Sequence, residues 1–260
     1  QLAALSTSQI ASLSAKAVAG LTETQLASLD ATRLGALTAT EIGGLTTTQL
    51  AGLTATRLAE LTTTQTGGLS STQIGALSTT QVAGLTTRQV ASLTATQLAG
   101  LSADQTAALS ETQIAALATT QTAALTATSL AGLTADQLDG FTTTQLRAMT
   151  ATQFGTLADT QIAALTTVQL AALTTTGIKG LGSAQVAALS ETQFAALSAS
   201  QIGAIATEGL AGLAATRMAG LSSTQLAALT TTQLGALADT QIAGLTTTQI
   251  AALSTTQTAA

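Results

Sequence analysis

Leu245-Thr246-Thr247-Thr248-Gln249-Ile250-Ala251-Ala252 is one copy of a unit that fills the whole chain. Stepping back by eight from Leu245 reaches Leu237, Leu229 and Leu221, and so on to Leu5; stepping forward reaches Leu253. All thirty-two positions in this register are apolar, and only Phe141, Met149 and Ile205 depart from Leu. No insertion breaks the period. Self-similarity at a fixed period marks a repeat architecture and has to be read before local structure. Counted from the Leu, the consensus is L-[ST]-[TA]-T-Q-[IL]-[AG]-[AG].

Each position has a physical reading. The residue after the Leu is Ser, Thr or Asp in most units, as at Thr22, Asp30 and Ser110, and a Gln follows three residues later, as at Gln25 and Gln113. This is the spacing of a capping box. The hydroxyl accepts from the third helical amide, and the Gln side chain accepts from the amide of the cap residue. Leu21 before the cap and Leu26 at the fourth helical position have the spacing of a hydrophobic staple. Two small residues then close the unit, as in Ala171-Ala172 or Gly43-Gly44, and let another backbone come near. Each octad therefore reads as a helix of about one and a half turns followed at once by a corner, for example Glu23 to Ser28 between Thr22 and Asp30. The fold class expected is all-α: a solenoid or spiral of very short capped helices, one per repeat, over residues 1–260 as a single continuous array.

Two other backbones compete with this one. In a continuous helix, eight residues advance about 800°, so the Leu stripe would wind round every face; the average apolar spacing of four also misses the coiled-coil periods. A β-solenoid is the stronger rival, because Thr and Ile favour strands. Strand alternation, however, puts residues three apart, such as Ile242 and Leu245, on opposite faces, whereas a helix puts them on one side. So short a helix is unstable alone. Contacts and hydrogen bonds between stacked units have to supply the difference, as in other solenoids.

Composition narrows the function classes. The chain has no His, Cys, Trp, Tyr, Pro or Asn; 7% of residues are charged, 46% are hydrophobic, and the net charge is -5. Disordered chains combine low hydrophobicity with high net charge, and this one has neither. It carries no basic stripe and no aromatic platform, which argues against nucleic acid as a partner. No apolar run approaches the roughly 18 residues of a membrane span. Disulfides and thiolate metal sites are excluded, and without Asn there is no N-linked glycan site. The first and last residues fall inside a repeat, which suggests a window on a longer array or a subunit capped by its neighbours.

Candidate chemistry is thin. Nucleophilic catalysis needs a base beside the nucleophile. The many Ser and Thr have no His to serve, and Lys16 and Lys179 have no motif around them. Asp136 and Asp139 are three apart and could share a helical face as a carboxylate pair; as a metal or acid–base site they are outweighed by a solvated pair. Gly177, Gly180 and Gly182 lack the Lys-Ser/Thr ending of a phosphate loop. No catalytic, cofactor-binding or metal-binding residue is assigned, and the chain does not read as an enzyme. Gly177 and Gly209 replace the usual Gln, and Gly182, Ala206 and Ala214 replace caps; drift in a tolerant array explains them better than built-in soft spots. Arg33, Arg57 and Arg217 also stand at Gln positions, which suggests that this position reaches solvent. Glu60, Asp139, Arg147 and Lys179 fall among the small residues, so those slots cannot all be deeply buried.

The string L-T-T-T-Q-I-A-A at Leu245 to Ala252 resembles the Thr/Ala-rich octapeptide arrays of very large bacterial surface, adhesin-like and filament proteins. The resemblance covers the whole chain and carries no catalytic residues with it. It implies an extracellular or cell-surface location and a structural role as fibre, stalk or filament scaffold. Self-association through the regular small residues fits that role. The alternative is an ice-binding or adhesive surface built from a regular Thr array, and the ice-binding form needs the flat face of a β-solenoid. A surface or glycan partner is left open.

Overall fold

The computed structural model describes residues 4–210 and 213–259. Among them are thirty-two helices of four to six residues, one per octad, and no strand. The chain is an all-α repeat protein. The β-solenoid alternative falls, and the ice-binding reading loses the flat Thr plane it required. Thr-rich segments that could extend are instead committed to starting helices.

One octad shows how. Thr22 is extended (φ -72°, ψ 160°) and its hydroxyl accepts from the Gln25 amide at 3.2 Å. The Thr22 amide donates to Gln25 Oε1 at 2.8 Å. Both halves of the capping box are thus closed around the helix Glu23–Ala27, with Ser28 as its C-cap. The next Leu ends the unit. Its amide donates back to the carbonyl three residues earlier, as in Leu29 to Leu26 at 3.2 Å. Where the helix runs directly into that residue, as at Leu37 (φ -66°, ψ 136°), it is extended, and so is Thr38 after it (φ -75°, ψ 164°). Two extended residues in succession make the corner. No described residue has a positive φ, so the corner uses no left-handed glycine.

Exceptions show that the hydroxyl half of the box is dispensable. At Ala158 and Ala238 the cap hydroxyl is missing, and the third amide turns to the cap carbonyl instead: Gln161 to Ala158 at 3.0 Å and Gln241 to Ala238 at 2.8 Å. The Gln side chain still accepts from the cap amide, at 2.7 and 2.9 Å. The acids follow the helix polarity. Ten of the twelve Asp and Glu, all but Glu60 and Asp139, lie at an N-cap or in a first turn, where the unpaired amides favour negative charge. At Asp30 the Arg33 backbone amide donates at 2.8 Å; this bond, with the Arg33 guanidinium, holds the Asp30 carboxyl below its ordinary value.

The chain divides after Leu133 into two compact units with sixteen helices each. Inside each unit the chain winds as a coil. Hydrogen bonds link residues 28 apart, such as Gln49 to Leu21 and Gln201 to Leu173, so a turn holds about 28/8 = 3.5 octads. The half-integer staggers successive coils. Helix Thr47–Ala51 packs against Glu23–Ala27, three helices earlier, and reaches back to the end of Ala15–Ala19.

The interior of the coil is filled by the aliphatic pair. Residues at the fourth helical position, such as Leu50, Ile114 and Ile162, are fully buried, and register residues such as Leu53 and Leu117 are nearly so. The cap, the first two helical residues and the first small residue face outward, as at Thr46, Thr47, Thr48 and Ala51. The following coil covers the fourth-position residue: Ile10 is buried, whereas Ile250, in the last turn of the chain, is 48% exposed. Small residues allow the coils to touch. A Cβ on Gly68 would stand 2.2 Å from the Ala39 carbonyl oxygen, 29 residues earlier. Glu60, Asp139, Arg147 and Lys179 are all exposed, as expected for charges in these slots. No helix is long and apolar enough to cross a membrane, among the described residues.

If the caps initiate the helices as described, Thr86→Ala should lower unfolding stability by about 1 kcal/mol, because the Gln89 half of the box survives. Chemical denaturation followed by helix circular dichroism measures this. No change, or a loss of all helix, contradicts the capping account.

Candidate functional site

The feature that organises both units is a ladder of glutamine side chains. Each capping Gln that has an earlier coil beneath it bonds in two directions. In Gln89, Oε1 accepts from the Thr86 amide of its own octad at 2.7 Å. Nε2 donates to the carbonyls of Leu58 and Leu61, both at 2.8 Å, in the coil below. Of the two, the Leu58 carbonyl already accepts from the Leu61 amide at 3.2 Å, and it is the Leu61 carbonyl that needs a donor. Leu61 follows helix Ala55–Ala59 and lies in the corner, where no intrahelical amide reaches its oxygen. The same bonds recur in the second unit, from Gln185 to Phe154 and Leu157 at 2.8 and 2.7 Å, and from Gln249 to Met218 and Leu221 at 2.8 and 2.7 Å. Burial follows the bonding. Gln89 is 1% exposed, but Gln9 and Gln25, which have no earlier coil beneath them, are exposed. The Arg substitutions had suggested a solvent-reaching position. That holds for the half-buried Arg33, Arg57 and Arg217 but not for the Gln residues, whose amides are enclosed between coils.

The substitutions at this position separate its two functions. Arg has donors only. Arg217 keeps the inter-coil bonds, donating to the carbonyls of Val186 and Ala187 at 2.9 Å each and to that of Leu189. Arg57 donates to the Leu29 carbonyl and pairs with Glu60; Arg33 donates from Nε to the Leu5 carbonyl at 3.1 Å and pairs with Asp30. None of them can accept from the cap amide. Glu41 is the reverse case. Its carboxylate accepts from the Thr38 amide at 2.6 Å and so keeps the box, but at 3% exposure it brings no donor to the carbonyls below. Ser129 is too short for a good rung, with its hydroxyl 3.4 Å from the Leu101 carbonyl oxygen.

Gly177 does neither job, and the structure supplies a reason that drift does not. A Cβ on Gly177 would meet the Phe154 ring at 2.8 and 3.0 Å. Phe154 is the largest fully buried side chain, and it fills the space a Gln would occupy. Sequence reading missed the pair because the two residues lie 23 apart and meet only through the coil pitch. Gly209 is similarly crowded, by Ile205 Cγ2 at 2.8 Å and the Leu181 carbonyl oxygen at 3.0 Å.

The candidate chemical residues are placed as follows. Lys16 lies in helix Ala15–Ala19 of the first unit, and Lys179 caps the C-terminus of Thr175–Ile178 in the second. Asp136 and Asp139 occupy the first turn and the last position of Ala135–Asp139, and both are exposed. Among the described residues, no three acidic side chains gather as a metal site. Gly180 is a packing residue: its Cβ would lie 2.0 Å from the Ala151 carbonyl oxygen. Gly182 is a helix cap whose amide donates to Gln185 Oε1 at 2.8 Å. Of the substituted caps, Ala214 makes no side-chain cap bond, and the Arg217 amide donates to its carbonyl at 2.9 Å. Ala206 offers its carbonyl to the Leu210 amide at 3.1 Å.

Residues 64–95 and 167–199 match the family model of the ALTTAQ repeat, one segment in each unit. The six letters of that description run from the second small residue to the capping Gln, read here as Ala164-Leu165-Thr166-Thr167-Val168-Gln169. Each match spans a little more than one turn of coil. The matches support a repeat protein. No curated protein matches the chain.

The double role of the Gln gives opposed predictions. Gln89→Glu keeps the acceptor for Thr86 and removes the donor, leaving a buried charge against two carbonyls; it should cost about 3–5 kcal/mol. Gln89→Arg keeps the donor and loses the box, and should cost only about 1 kcal/mol. Equal losses in urea titrations would refute the division of roles. Glu41→Gln should raise stability by about 1–3 kcal/mol by restoring a donor; an unchanged midpoint would show that the missing rung carries no weight.

Proposed function

We propose that this chain is a structural scaffold, a segment of a stalk, fibre or filament that works outside a cell or on its surface and self-associates rather than catalysing a reaction. The observation that carries this reading is the ladder itself. Each coil offers, on the side facing the next, the same pattern of corner carbonyls and aliphatic side chains that the coil before it offered. Such a surface makes every coil a template for another, and nothing in the geometry limits their number. Length, not a pocket, is what this arrangement provides.

The surrounding observations support the same reading. The cap hydroxyls are committed to helix starts, and among the described residues no three acidic side chains gather as a metal site. The resemblance of L-T-T-T-Q-I-A-A to arrays in large bacterial surface proteins supports an extracellular or cell-surface location. On this reading, residues 1–260 serve as one continuous array and lateral association uses the small outward residues. An adhesive role for the exposed Thr rim, with a surface or glycan partner, is compatible with such a stalk. Neither a cofactor nor nucleic acid has a place in this reading.

Electron micrographs of the purified protein should show elongated particles or filaments, and protease shaving of intact source cells should remove the chain. Compact monomeric globules, or full protection inside intact cells, would contradict the proposal.

A further inference from the structure

We infer that each unit is an extensible element that opens one coil at a time under load, an inference that rests on the stalk reading for its use but not for its physics. Its basis is how the coils are joined. Within each unit, the backbone-to-backbone bonds outside the helices are local, joining residues three or four apart. The bonds that run from coil to coil come from side chains: the Gln amides, with Arg33, Arg57, Arg217 and Ser129 in their stead. A sheet or a long helix would carry load through a continuous backbone ladder. Here the load between coils falls on side-chain rungs and on apolar contact.

The geometry then sets the order of events. Rungs of different coils are loaded in series, so they do not have to fail together. A terminal coil is held by one neighbour and an interior coil by two, so opening starts at an end. Removing the terminal coil sacrifices one interface, frees the entropy of one coil, and leaves an end of the same kind. The next coil therefore opens at nearly the same force. The octad helices cannot persist once uncovered, because four to six residues do not hold a helix in water. Each step consequently releases a whole turn, about 28 residues, or roughly 95 Å of chain. The exposure of Ile242 and Ile250 in the last turn shows the same dependence in the unloaded chain: a coil without a successor already has an uncovered face.

Optical-tweezer stretching of the whole chain tests this. The expected trace is a near-constant force plateau built of steps of about 28 residues that reverse on relaxation. One abrupt rupture releasing a unit's entire contour at once would overturn it, as would elastic stretching with no stepwise release. A variant carrying Gln81→Glu, Gln89→Glu and Gln97→Glu keeps the helix caps and removes the donors of a single coil. It should lower the force of the corresponding step by about half and leave the others unchanged; an equal drop at every step would contradict opening coil by coil. If that variant does not fold, Gln89→Glu alone gives the same comparison. The steps are read independently of where the protein resides, so a failed localisation experiment and a failed stretching experiment are distinguishable.

Discussion

A primary amide carries an acceptor and a donor on one carbon, and this fold gives them different partners, one within the octad and one in the earlier coil. The oxygen of each capping Gln closes a box within its own octad, while the nitrogen closes the gap to the coil 28 residues earlier. Local and long-range order thus depend on the same side chain. If the rung is removed, corner carbonyls are left without a donor between packed surfaces, where an unmet polar group costs about 1–3 kcal/mol. If the box is removed, the helix loses a cap that stabilises its start, although Ala31–Ala36, Ala55–Ala59 and Ala215–Gly220 form without a complete box. None of the residues that replace it serves both: Arg, Glu, Ser, Gly and Ala each appear at this position, and each gives up one role or both.

This economy explains why the octad can be so short. Helices of four to six residues have too few internal bonds to stand alone, and the structure compensates by making each one a shelf for the next. The aliphatic pair supplies the apolar interior, and the small residues set the approach of the backbones. The half-integer count of 3.5 octads per turn matters here. Because coils are staggered, a Gln sits above the end of a helix, where it reaches both the corner Leu carbonyl, which no intrahelical amide serves, and the fourth-position carbonyl, which takes the Gln as a second donor. Gly177 shows that the same slot can be closed by packing. The Phe154 ring replaces the amide there, and the coil continues past it.

What was legible in the sequence was everything local. The Thr22–Gln25 spacing announced the box, the Leu21–Leu26 spacing the staple, and the charged residues among the small slots their outward face. The observed helix Glu23–Ala27 ends one residue before the expected limit. What could not be read was the pitch. No residue within an octad states how many octads complete a turn, and every feature that depends on that number was hidden: the second bond of the Gln, its burial, and the Phe154–Gly177 pair. The Arg substitutions pointed the wrong way for the same reason. A long side chain can reach the corner carbonyls from the rim, so Arg57 is compatible with partial exposure at a position where Gln81 and Gln89 have none to speak of. Function was legible only as an exclusion of chemistry and a likeness of pattern.

The claim that one amide performs both tasks can be read directly from glutamine side-chain protons. With glutamine Nε2 labelled and observed by NMR in exchange with deuterated water, the rung amides should keep one or both protons for far longer than a free side chain does. Gln9 and Gln25, exposed and without a coil beneath them, serve as the rapid internal reference. The account requires two populations, a large protected one and a small fast one, with cross-peaks from the protected amides to residues 28 positions earlier. If all glutamine side chains exchange at the rate of the free amide, the ladder does not exist and the coil is held by something else.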